Sequence, residues 1–226
     1  MFSRNLTEKE IKMINLVDNF VKDKHARCLG HDYSHVLEVT GYAIKIAQRV
    51  SYPVDPFILI CGALLHDLGR VGVPTGIMHG LRGATLAEQF LQASWEDKEA
   101  NEKILKIITR HTPTSHIPPE SVEEKIVFDA DTLDRFGIIG ILRGIMGKTG
   151  SIEEIIEGVI AKRSRDYNSL IFEESKEIGR ESYEDSLYLL KKSRESLKKR
   201  CKEVRELSLP DDCCRDFTDK SPNYTD

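Results

Sequence analysis

The sequence predicts an all-α protein built as one globular domain, and three observations support that expectation. Apolar residues recur at intervals of three and four along nearly the whole chain. No segment alternates apolar and polar residues as a half-buried strand does. Capping residues and prolines stand where the periodic stretches begin and end. At 226 residues, 40% hydrophobic and 31% charged, the chain has the length and composition of one ordinary domain.

The elements can be justified in order. "TEKE" from Thr7 is a capping-box pattern opening a helix to about Lys24, with Ile11, Ile14, Leu16, Val17 and Phe20 near its inward stripe. "DYSHVLEVTGYAIKIAQRV" is a second helix, with Val36, Val39, Ala43, Ile46, Ala47 and Val50 facing inward. Asp55 and Pro56 start a third in cap-then-proline order, and Gly69 is expected to end it. This segment is apolar nearly all round, so it should be the central helix. "GRVGVPTGIMHG" reads as a glycine-rich loop; Ala84, Ala87, Phe90 and Leu91 mark a fourth helix, and a fifth runs from about Lys98 to Arg110. The prolines of "HTPTSHIPP" break it, and a sixth is expected from Pro119 through "VEEKIVFDADTLDRFG". "IIGILRGIMG" is a short seventh helix, followed by helical segments from Ser151 to Arg165 and from about Glu173 to Leu207. The bundle is therefore expected over residues 1–207. Residues 208–226, with Cys213 and Cys214, read as a polar mobile tail.

A formal charge of −4 argues against a dedicated duplex-binding surface, which would be strongly basic. No apolar run approaches the ~20 residues of a spanning helix, so no membrane partner is expected. The N-terminal "MFSRNLTEKEIKM" lacks a signal-peptide core, and cysteines at 28, 61, 201, 213 and 214 form no CxxC pair. A soluble cytoplasmic protein with free thiols is expected, and a homodimer is compatible with the chain.

The chemistry lies at the end of the apolar third helix, where "LLHDLG" places Asp67 beside His66. An uncompensated carboxylate there is costly twice over, because burial penalises its charge and the negative end of a helix dipole repels it. Asp67 could swing out to water; a bound cation would reverse both penalties. His35 shares a face with Val39, Tyr42 and Ile46, so it is either a satisfied core histidine or a ligand. Asp131, in "FDADTLDRF", could pair with Arg135 one turn on or contribute to the same site. Together His35, His66, Asp67 and Asp131 make a mixed nitrogen and oxygen set suited to Mn, Fe, Ni, Co or Zn.

"HDYSHVLEV", "ALLHDLG" and "DADTLD" resemble, in order, the motifs of the HD-domain metal-dependent phosphohydrolase superfamily, over about residues 30–137. The resemblance implies an HD-type helical bundle whose metal ligands are His35, His66, Asp67 and Asp131. It further implies His79 and His111 as candidates for a second metal, with Asp67 bridging; the alternative is a mononuclear site with His111 as an acid-base or substrate residue and His79 on the surface. One or two divalent ions are thus expected. The implied activity is hydrolysis of a phosphate ester or anhydride, of a nucleotide by preference, with Asp67, His111 and Lys148 in catalysis. His31, Arg82 and Lys148 are the candidates for holding the small phosphorylated substrate. His116 is read as a non-ligand and His25 as exposed. Glu38 stands where many triphosphate-cleaving relatives carry arginine, which weakens transfer of their substrate preference. A di-iron oxygenase on the same scaffold and a regulatory module with a structural metal are the alternatives.

Overall fold

The computed structural model describes residues 2–26, 31–73 and 78–208. Within them nine α-helices follow one another: α1 (Glu8–His25), α2 (Tyr33–Arg49), α3 (Pro56–Leu65), α4 (His79–Ser94), α5 (Lys98–Arg110), α6 (Val122–Leu133), α7 (Gly137–Ile145), α8 (Ile152–Asn168) and α9 (Glu173–Ser208). The described residues contain no strand, only an isolated bridge between Phe2 and Val54. Among the described residues no helix is long and apolar enough to cross a membrane. The 208–226 tail, with Cys213 and Cys214, lies outside the described residues apart from Ser208, the last residue of α9.

Every residue of α3 except Ile60 is buried, and α1, α2, α5 and α6 pack around it. Such a helix has no polar face to turn outward, so burial on all sides is its stable arrangement. The predicted caps are present: Thr7 and Glu10 form a reciprocal capping box on α1, and Asp55 accepts from the amides of Phe57 and Ile58 at the start of α3. α4 lies against α5 and the turn after α3, while α8 packs on α9 and α7 bridges the two.

Three expectations need correction. The inward stripe of α1 centres on Met13, Val17 and Val21, with Ile14 and Phe20 partly buried against the core, whereas Ile11 and Leu16 are half-exposed. α3 stops at Leu65 rather than at Gly69; His66 and Asp67 form a turn leading into a short 3-10 helix, Leu68–Arg70. The chain turns early because it must pass beneath the start of α4: a Cβ on Gly69 would stand 1.9 Å from the His79 carbonyl oxygen. α6 starts at Val122, not Pro119, since Ser121 supplies the cap by accepting from the Glu124 amide.

Candidate metal centre

Five elements deliver histidines and carboxylates to one buried point. His35 comes from the first turn of α2, whose cap Asp32 accepts from the His35 amide. His66 and Asp67 come from the turn after α3, His79 from the N-terminus of α4, His111 from the C-terminal cap of α5, and Asp131 from the last turn of α6. All six are buried, with Asp67 only 1% exposed.

Asp67 divides its two oxygens between two groups. Its Oδ2 lies 3.3 Å from His35 Nε2 and 3.7 Å from His66 Nε2, and Asp131 Oδ1 stands 3.5 Å and 4.0 Å from the same two nitrogens. Its Oδ1 lies 3.2 Å from His79 Nε2 and 3.5 Å from His111 Nε2, which are 3.0 Å apart. The carboxylate therefore sits between a His35, His66, Asp131 set and a His79, His111 set. His79 is 2% exposed, which overturns the alternative that places it on the surface.

The ring nitrogens facing away are occupied, and this fixes what the inward ones can do. His66 Nδ1 donates to the Ala63 carbonyl and His111 Nδ1 to the Ile108 carbonyl, each at 2.7 Å, so in the neutral rings both Nε2 atoms carry lone pairs. His35 Nδ1 donates to Asp134 Oδ2 at 2.8 Å, and its Nε2 then meets His66 Nε2 at 3.2 Å. Two imidazole lone pairs that close repel unless a proton or a metal ion lies between them. Asp67 Oδ2, though buried, makes no well-aligned hydrogen bond. These orphaned, converging acceptors fit a divalent transition-metal ion, whose ligands must be deprotonated.

The electrostatics point the same way. Burial pushes the Asp67 carboxyl up, but His66, His111, His31 and His35 outweigh it and hold it well below the usual carboxylate range. Burial likewise disfavours charge on His35, and Asp134, Asp67 and Asp131 overcome that to raise its pKa to about 10. His66, buried with no carboxylate as close, is pushed down to about 3 and stays neutral. A positive charge beside Asp67 is thus built into the site.

Behind the ligands stand residues that the sequence did not single out. Asp134 accepts from His35 and also from Arg143 Nη1. Asp131 Oδ2 accepts from Arg135, so the local helix pair and the converging ligand are both real, one oxygen for each. Asp134 lies three residues after Asp131, on the same face of the α6 end, and that spacing was the available signal.

A pocket of about 240 Å³ opens onto His31, His35 and Asp131, and its walls include Arg70, Arg135, Arg143, Lys148, Lys162 and Arg163. His31 lies at its mouth with Nδ1 2.6 Å from Asp67 Oδ2, and exposed Lys148 lines its wall. Arg82 does not line this pocket. Its guanidinium donates to the carbonyls of Gly69 and Val71 at 2.6 Å and 2.9 Å, tying down the turn after α3. His25 is also unlike its expectation: it is fully buried, with Nδ1 donating to the His31 carbonyl at 2.7 Å. His116 is exposed on the α5–α6 connection.

Comparison with known proteins bears on the family and the fold. The HD domain family model matches residues 32–135. YpgQ of Bacillus subtilis is 33% identical over 123 residues, covering 52% of this chain and 57% of YpgQ. Its crystal structure in complex with ADP superposes with a TM-score of 0.67 at 25% identity, covering 83% of this chain and 96% of that one. A tRNA (cytidine(56)-2'-O)-methyltransferase of Picrophilus torridus is 31% identical over 128 residues, covering 50% of this chain but only 34% of that protein. An uncharacterized protein of Methanocaldococcus jannaschii is 31% identical over 123 residues, covering 47% of this chain and 68% of that one. The chain thus spans from about a third to about two thirds of these curated relatives. The matched segment begins at the cap of α2 and ends just past Asp131, enclosing His35, His66, Asp67, His79 and His111, and the chain belongs to the HD-domain family.

Proposed function

We propose that the chain is a divalent-metal-dependent phosphohydrolase acting on a phosphate ester or anhydride of a nucleotide, with two metal ions. The observation that carries this reading is Asp67 turning one oxygen to each of two histidine pairs, beside a cation-walled pocket that reaches His35 and Asp131 of the same cluster. His35, His66, Asp67 and Asp131 would hold one ion, and Asp67, His79 and His111 the second. Such ions polarise a phosphoryl oxygen and lower the pKa of water toward neutrality, supplying a nucleophile. The chain's own residues do the positioning. Arg70 is paired with Asp67, Arg135 with Asp131 and Asp166, Arg143 with Asp134, and Arg163 with Asp166. Lys148 and Lys162 are left as the wall cations to meet substrate phosphate, as charge-assisted donors. His31, which lines the pocket and lies against Asp67, would contact the substrate. YpgQ is solved with ADP, which supports a nucleotide here. Methyl transfer is not extended to this chain from a match to 34% of that relative.

The same shared carboxylate between histidine pairs also suits a di-iron oxygenase, and one experiment separates the two. The full chain, stripped and reloaded with Mn, Fe, Co, Ni, Zn or Mg, is screened under anaerobic conditions for phosphate or pyrophosphate release from nucleotides and sugar phosphates. Release without oxygen is expected with at least one metal. Oxygen-dependent turnover alone, with iron, would establish the oxygenase instead; a stable metal complex with no turnover would leave a regulatory module.

A further inference from the structure

Three cations of the pocket wall, Arg135, Lys162 and Arg163, lie close to one another. One buried carboxylate stands among them. Asp166, on α8 and 8% exposed, accepts from Arg135 Nη1 through Oδ1 at 3.1 Å and from Arg163 Nη1 through Oδ2 at 3.0 Å. Arg163, 2% exposed, is anchored in turn by donating to the Gly140 carbonyl at 2.8 Å. The other arm of Arg135 donates to Asp131 Oδ2, which leaves Asp131 Oδ1 toward His35 and His66. One guanidinium therefore spans a candidate metal ligand and a carboxylate outside residues 32–135, the segment the family model matches.

The geometry points to Asp166 as a positioning residue of the metal centre, acting through Arg135: it takes up part of the guanidinium charge and fixes its orientation, so that Asp131 presents a single oxygen to a cation. The inference rests on reading the histidine and aspartate cluster as a metal centre. A guanidinium is a rigid planar fork, so holding one edge on Asp166 sets where the other edge meets Asp131. Without Asp166, the Arg135 charge falls wholly on Asp131, and a divalent ion must compete with it for that carboxylate. The metal affinity of the core thus depends on a helix that supplies none of its ligands.

The test is cobalt(II) binding to the metal-stripped full chain by titration calorimetry, with circular dichroism and thermal melting to verify folding. Asp166→Asn keeps the shape and removes the charge; it should weaken binding at one site by about 10- to 100-fold, the usual range for a residue supporting a metal ligand. In an Arg135→Gln background the same substitution should change affinity by less than about 2-fold, because the charge it balances is gone. An equal loss in both backgrounds would make Asp166 a mere anchor for α8, and no loss in the unmodified background would overturn the inference outright. If Asp166→Asn does not fold, Arg135→Lys carries the test: a compact ammonium cannot hold both carboxylates, so affinity should fall about 10-fold, and unchanged binding overturns the proposal. A natural chain that binds no cobalt(II) at all overturns the metal centre itself, a different result.

Discussion

Asp67 is a carboxylate at the end of an apolar helix, and its surroundings explain why it is kept. Five histidine nitrogens lie within 3.7 Å of its two oxygens, from His31, His35, His66, His79 and His111. Asp67→Ala should abolish phosphate release and strip both ions, measured by elemental analysis beside an activity assay; full metal content in that variant would refute the bridging role. His111→Ala removes a ligand from only one group, so about one ion of two should remain. The pH dependence has a definite sign. His35 is held charged up to about pH 10, and a ligand imidazole must give that proton up. Metal uptake at pH 7 should therefore release about one proton and weaken as pH falls, which calorimetry in buffers of different ionisation enthalpy detects. Affinity constant from pH 6 to 8 would contradict this. The residues His35, His66, Asp67 and Asp131 were legible because each interrupts an apolar stretch where a polar group needs a reason. Asp134 had only its spacing from Asp131 to mark it and Asp166 had nothing local, since their partners lie far away in sequence: Asp134 meets His35 across 99 residues and Asp166 meets Arg135 across 31.

The helices themselves were legible where the local signal and the packing agree. Thr7, Asp55 and Ser151 cap their helices as their residue types require, and the inward face of α2 is the one its periodicity indicates. Disagreements occur where a tertiary contact decides. Gly69 ends no helix; it lets the turn carrying His66 and Asp67 pass under α4, and Arg82 then binds that turn rather than a substrate. His25 looked exposed on a lysine-rich helix end, yet the His31 carbonyl returns over it. Gly69→Ala should push the start of α4 away, carrying His79 with it, so metal content should fall toward one ion per chain while helix content holds. Gly41→Ala is the control: nothing lies within 4 Å of the added Cβ in the middle of α2, so it should stabilise the protein by about 0.5–1 kcal/mol, read by denaturant titration. Similar losses in both variants would show that the close approach at Gly69 does not govern the site.

For the molecule as a whole, the candidate ligands come from α2, the turn after α3, α4, α5 and α6, so ions held there would fasten most of the bundle. A ligand that binds only the folded chain adds about 2.7 kcal/mol of stability at a hundredfold excess over its dissociation constant. Chelation should accordingly lower the melting temperature by several degrees, and readdition of the metal should restore it; identical melting curves would separate the ions from the fold. α7 and α8 contribute to the pocket wall, and α8 supplies the carboxylate behind Arg135. The most direct measurement is the number of ions held per chain after the purified full-length protein is loaded with manganese and dialysed against metal-free buffer. About two per chain are expected, with Asp67 shared between them. A single ion would contradict the bridging arrangement, and none would contradict the metal centre.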